Sequence, residues 1–135
     1  MSDHVELSFP ARAENLYLAR QLVSAVSARR DFTIEEIEDL QLAVDELCLS
    51  IFDPSPTDRP LYLAIDVDGP SITVRVRLDD APAVSHGAEA STAALPEGLS
   101  KRILDALVDE HGSAREGKVV SAWLTKVKRP TDPPS

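Results

Sequence analysis

The chain has 135 residues, 43% of them hydrophobic, 27% charged and only 4% aromatic, with a formal net charge of −9 at pH 7. One domain with a core of Leu, Val, Ile and Ala is the expectation, and a chain of this length buries enough surface to fold without metal or disulfide help. The acidity argues against a phosphate-backbone binder, which needs a basic face, and no apolar run approaches the length of a membrane span.

The single cysteine, Cys48, cannot form an internal bridge, which fits a reducing cytoplasm. No basic start followed by a long apolar run marks a signal peptide, so a cytoplasmic protein is expected. No nucleic-acid or membrane partner is expected. The acidic surface suits a basic partner, or serves solubility alone.

In chain order, HVELSFPA alternates Val5, Leu7 and Phe9 with His4, Glu6 and Ser8, the pattern of a half-buried strand stopped by Pro10. ENLYLARQLVSAVSARR places Leu16, Ala19, Leu22 or Val23, and Val26 at helical spacing and predicts a helix over 13–29. In DFTIEEIEDLQLAVDELCLSIF, Thr33 with Glu36 three residues on fits a capping box. Ile34, Ile37, Leu40, Val44, Leu47 and Ile51 follow as a buried stripe, and Asp39, Ala43, Glu46, Ser50 and Asp53 as a mostly polar one. The prolines of DPSPTDRP end this helix.

LYLAIDVDGPSITVRVRLDD reads as a hairpin, with Leu61, Leu63, Ile65 and Val67 alternating before DGPS, and Ile72, Val74, Val76 and Leu78 after it. APAVSHGAEASTAALPEG is a loop of small residues, either a lid or a disordered segment. LSKRILDALVDEHG predicts a third helix burying Leu99, Ile103, Leu104 or Leu107, and Val108. SAREGKVVSAWLTKVKR predicts a last hairpin, with Val120, Ala122, Leu124 and Val127 on one side and Trp123 on the other. The histidines His4, His86 and His111 have no neighbours at metal-ligand spacing, so no zinc site is expected. This order predicts an α+β fold, a two-layer α/β sandwich with three helices on one face of a mixed sheet. It spans residues 1–129, with 130–135 as a disordered tail.

The stretches ELSFPARAENLYLARQLVSAV and DFTIEEIEDLQLAVDELC, followed in order by GLSKRILDALVDE, resemble the RsbW/SpoIIAB-type anti-sigma factors. These are small serine protein kinases of the Bergerat (histidine-kinase-like, GHKL) ATPase fold. The resemblance covers residues 5–127, is closest in IEDLQLAVDELC, and is most like the glycine-poor actinobacterial form. The fold it implies agrees with the two-layer sandwich.

The family's first motif is a helical Glu with an Asn four residues on, one turn apart on one face. The Glu is the general base and the Asn oxygen ligates Mg²⁺. Glu46 matches the Glu, and Ser50, a shorter and weaker oxygen donor, stands in the Asn place. The second motif is Asp-x-Gly-x-Gly, whose Asp binds the adenine amino group. Its place is RLDDAPAV, so the resemblance implies Asp79 or Asp80 as the adenine acid, with Ala81 and Ala83, or Pro82 and Val84, where glycines belong. The third is a Gly-x-Gly turn that cradles phosphates at a helix N-terminus. Here Gly98 is kept and Ser100 replaces the second glycine.

The resemblance thus implies an anti-sigma factor that sequesters an alternative sigma factor and is countered by a STAS-domain anti-anti-sigma protein. The Asn and three of four motif glycines are replaced, which implies a degraded nucleotide site with no cofactor. The alternative is an active serine kinase that binds Mg-ATP and phosphorylates that antagonist. In that case Glu46 is the base, Ser50 the metal ligand, and Ser50, Asp79, Asp80, Gly98 and Ser100 the nucleotide contacts. A third reading reuses the emptied pocket as a small-molecule sensor. In the family the edge formed by the early helices meets partners, so Arg12, Glu14 and Arg20 are interface candidates beside the plain reading of a solvated face. A homodimer is also implied.

Overall fold

Alternation makes the sheet one-sided. In the computed structural model, which describes residues 2–51, 58–79 and 97–129, five strands form one sheet: β1 (Ser2–Pro10), β2 (Pro60–Asp68), β3 (Ser71–Leu78), β4 (Glu110–Glu116) and β5 (Val119–Val127). The predicted inward rows of β2 and β3, Leu61 to Val67 and Ile72 to Leu78, are buried, as are Phe9, Ala122 and Leu124. The opposite row carries His4, Glu6, Tyr62, Arg75, Arg77 and Trp123, which are exposed. A strand's side-chain period of two produces this division.

The strand order is β1-β2-β3-β5-β4, and every paired neighbour is antiparallel. This corrects the expected mixed sheet. The crossover after β3 does make β4 run parallel to β3. However, β5 folds back between them and takes the hydrogen bonds on both sides. Gly69, at φ +58, makes the tight β2–β3 turn that sets this register.

Helices α1 (Leu16–Ala28), α2 (Ile34–Ile51) and α3 (Glu97–Leu107) cover the apolar face, with a 3₁₀ turn at Ala13–Asn15 leading into α1. The helix predicted over 13–29 is thus divided, its first residues being the tighter turn. α2 is central, packing on β3 and β5 with α1 and α3 as neighbours. Its capping box forms as predicted: Thr33 N donates to Glu36 Oε1 at 2.8 Å, and Glu36 N donates to Thr33 Oγ1 at 3.1 Å. Leu40, Val44, Leu47 and Ile51 are buried with Ala43 and Cys48, whereas Ile34 is 78% exposed beyond the cap.

α3 ends earlier than predicted, at Leu107, and Glu110 already belongs to β4. Leu99 is exposed, and Leu104 and Val108 form the buried stripe. Strict alternation from Ala122 and Leu124 places Lys126, not Val127, on the inner face, 7% exposed. Its ammonium donates to the Leu107 carbonyl at 2.7 Å and lies 3.7 Å from Asp39. The small-residue loop, the proline-rich break after α2 and the predicted tail lie outside the described residues.

Candidate functional site

The C-terminal half of α2 and the first turn of α3 form the region to which the sequence motifs point. Glu46 sits on the side of α2 that meets α3, because Ala43 and Leu47 on adjoining positions turn into the core. Ser100, in the first turn of α3, donates its hydroxyl to Glu46 Oε1 at 2.5 Å. The distance is that of a charge-assisted hydrogen bond. Gly98 lies two residues earlier, at the start of the same helix.

Ser50 does not join this pair. Its hydroxyl turns back along α2 and donates to the Leu47 carbonyl at 2.6 Å, a local bond that serine commonly makes in helices. Asp79 is on the other side of the sheet. It continues the outward row of β3, and its Oδ1 accepts from Arg77 Nε at 2.9 Å. That guanidinium in turn lies 4.6 Å from the Tyr62 ring centre. Asp80 lies outside the described residues. Of the residues read as nucleotide contacts, Ser100 meets Glu46, the residue read as the base, and Ser50 and Asp79 are engaged elsewhere.

Cys48, next to this region on α2, is fully buried. Burial, with the charge of Asp45 adding to it, pushes its thiol up to about 12, so it is inert core. Among the described residues no three acidic, histidine or cysteine side chains are placed to hold a metal, and no helix is long and apolar enough to cross a membrane.

The interface candidates lie on the other flank. Arg12 is paired with Asp58 and stands 3.5 Å from Glu14 at the 3₁₀ turn. Arg20, on α1, places Nη1 2.9 Å from both oxygens of Asp45 on α2. Arg12 and Glu14 therefore form one group, and Arg20 is a separate one in the seam of the helix pair.

Comparison with known proteins places this arrangement in a family. Over 114 residues, 84% of the chain, it is 31% identical to a Mycobacterium tuberculosis protein named anti-sigma-F factor RsbW, covering 63% of that protein. It is 40% identical over 47 residues to the serine-protein kinase RsbW of Bacillus subtilis, 35% of this chain and 29% of that one. The chain is an RsbW homologue. A crystal structure of the RsbU and RsbW domains of a Mycobacterium tuberculosis protein shares the fold, with a TM-score of 0.68 at 15% identity, over 95% of this chain and 33% of that one. The homologue spans less than two thirds of the length of these relatives. No protein-family model matches it.

The shared fold is the two-layer sandwich that the element order implied, consistent with the GHKL type that the resemblance implied. Whether this homologue's residues suit the family's Mg-nucleotide is a question of donor chemistry. As placed, the described residues do not fit it. Mg²⁺ needs oxygens directed at one point, yet the Ser50 oxygen is turned onto its own helix. The carboxylate that would take a proton already accepts one hydroxyl, that of Ser100. Ser100 was legible only as a lost glycine. Its use as a donor to Glu46 was not, because the partner lies on another helix 54 positions away.

Proposed function

We propose that this RsbW homologue is a cytoplasmic anti-sigma factor that acts by occlusion. It binds an alternative sigma factor, covers the surface with which that factor grips core RNA polymerase, and gives it up to a competing STAS-domain protein. The single observation that carries this is the 31% identity over 84% of the chain to a protein named anti-sigma-F factor. The acidity supports it as well: a net charge of −9 favours encounter with basic sigma surfaces. The surface offered is the edge of the early helices, with Arg12 and Glu14 at the 3₁₀ turn and Arg20 in the α1–α2 seam as its candidate contacts. A homodimer would present that surface twice.

The test is transcription in vitro with core polymerase and each alternative sigma factor of the source organism. Adding the homologue should suppress transcription driven by one of them, and the cognate STAS protein should restore it. If all the sigma factors stay fully active at a large excess of homologue, the proposal fails. Transfer of labelled phosphate from ATP to the STAS protein would instead identify a working kinase.

A further inference from the structure

We infer that Glu46 is the anchor of a permanent clasp between α2 and α3, formed with Ser100, which fixes the first turn of α3 without a nucleotide. Three observations converge on it. Ser100 donates to Glu46 at 2.5 Å, a side-chain bond that joins these helices at this end among the described residues. The first turn of α3 adds little apolar packing of its own, since its large apolar side chain, Leu99, is exposed, as is Leu49 on α2, whereas Leu47 and Ile51 of α2 are buried in the core. The far end of α3, by contrast, is held by buried Leu104 and Val108 and by the Lys126 bond to Leu107. A helix anchored by core contacts at one end and by one polar bond at the other depends on that bond for its starting position.

Glu46 is then a positioning residue. Its charge orders α3 through Ser100, and the hydroxyl that replaces a glycine is the gain that accompanies loss of the nucleotide site. One consequence rests on the anti-sigma reading: partner affinity should not depend on ATP, and release should follow competition by the antagonist rather than phosphorylation of it.

Hydrogen exchange by mass spectrometry on the full chain tests the clasp without any partner. Ser100→Ala and Glu46→Ala should each speed amide exchange over residues 99–103 by about tenfold, while α1 keeps its protection. Ser100→Thr, which retains the hydroxyl, should exchange like the wild type, and Mg-ATP should add no protection to it. Three results overturn the clasp: unchanged exchange in Ser100→Ala, loss in Ser100→Thr equal to that in Ser100→Ala, or slowed exchange in α2 and α3 of the wild type on adding Mg-ATP. Affinity for a sigma factor with and without Mg-ATP is a separate arm. If the exchange results hold and no sigma factor binds, the anti-sigma reading fails and the clasp stands.

Discussion

Arg20 on α1 shares Nη1 equally between the two carboxylate oxygens of Asp45 on α2, at 2.9 Å each. Both side chains keep partial access to water, 37% and 26%, so the pair holds the helix seam while leaving a charged face outward. Such a pair contributes modestly to stability, with a coupling of about 0.5–1 kcal/mol in a double-mutant cycle. Arginine at an interface often contributes more to binding than to folding. Arg20→Ala should therefore cost about 1 kcal/mol of stability or less, yet weaken sigma-factor binding by about tenfold or more. Calorimetry on the purified pair measures the binding. Equal binding by Arg20→Ala and wild type would reduce Arg20 to a seam residue.

Lys126 closes the C-terminus of α3 from the neighbouring strand. Its ammonium satisfies the Leu107 carbonyl, a group that a helix end leaves open, and faces Asp39. Lys126→Met keeps most of the stem that fills the inner face but removes the donor. It should cost about 1–3 kcal/mol in urea denaturation, the range for leaving a buried acceptor unpaired. A change below that range would mean that the stem, not the ammonium, is what this position needs.

The sequence was informative wherever one pattern operated alone. The alternation of Leu61 to Val67 and of Ile72 to Leu78 left one reading, and all eight inward residues are buried as predicted. Thr33 and Glu36 likewise announced a cap that the structure forms. Where two patterns overlapped, the boundary moved. Val108 continues the helical rhythm of α3, so the following residues read as helix, and β4 has no apolar row of its own to contradict that. As an edge strand paired only to β5 it needs none. Val127 looked like the inward residue because it is apolar, yet the period of the strand gave that place to Lys126. At the candidate site, helical spacing put Glu46 on a mostly polar stripe with Ala43 and Ser50, although Ala43 is buried, and local spacing carries no information about a hydroxyl on another helix.

The Glu36 carboxylate accepts from two backbone donors at the start of α2, Thr33 N and Arg129 N, while Glu36 N donates to the Thr33 hydroxyl. The Arg129 bond, to Oε2 at 2.9 Å, ties the end of β5 to the helix. Burial raises its pKa, but the bonds from Thr33 and Arg129 and the charge of Lys126 outweigh this and hold it below the ordinary 4.5. With the folded value depressed, its stabilisation is present above the unfolded value and is lost as pH falls through the folded one. The wild type should lose stability on acidification below about pH 4.5, and Glu36→Gln should lose less over the same range. Glu36→Ala, which removes the carboxylate bonds to Thr33 N and Arg129 N but keeps the Thr33 hydroxyl cap, should cost about 1–2 kcal/mol at neutral pH. Urea midpoints measured from neutral to acid pH give all three values, and parallel curves for wild type and Glu36→Gln would contradict the assignment.

The opposite sign is expected at the sheet edge. His4 Nε2 lies 2.6 Å from Glu6 Oε2 and Nδ1 lies 2.5 Å from Asp66 Oδ1. Carboxylates only accept, so both ring nitrogens must donate, and only the imidazolium does that. Bonds first to Glu6 and then to Asp66 raise the pKa above 6.5. A raised folded value means that the contribution is fully present below 6.5 and disappears as pH rises through the folded pKa. The site is solvent-exposed, so the effect is local to the β1–β2 edge. Titration of the His4 ring by NMR should give a midpoint above 6.5, and Glu6→Gln should lower it. A midpoint at or below 6.5 in the wild type would show that the two carboxylates do not hold the proton.

Gly112 on β4 faces Trp123 on β5 across the ladder, and a Cβ there would come within 2.8 Å of the indole Nε1 and 3.0 Å of Cε2. The ring lies over the glycine because no side chain intervenes, an aromatic cover for an edge glycine. Gly112→Ala must displace the ring. The ring is on the open face, 37% exposed, so it has room to swing outward. The stability change should therefore be small, about 1 kcal/mol or less, because loss of the indole contact opposes the gain from reduced chain entropy. The optical change should be large by comparison. Trp123 is the single tryptophan of the chain, so its fluorescence reports this position alone, and exposure of the indole should shift emission to the red. Unchanged emission in Gly112→Ala would mean that the ring does not rest on this glycine.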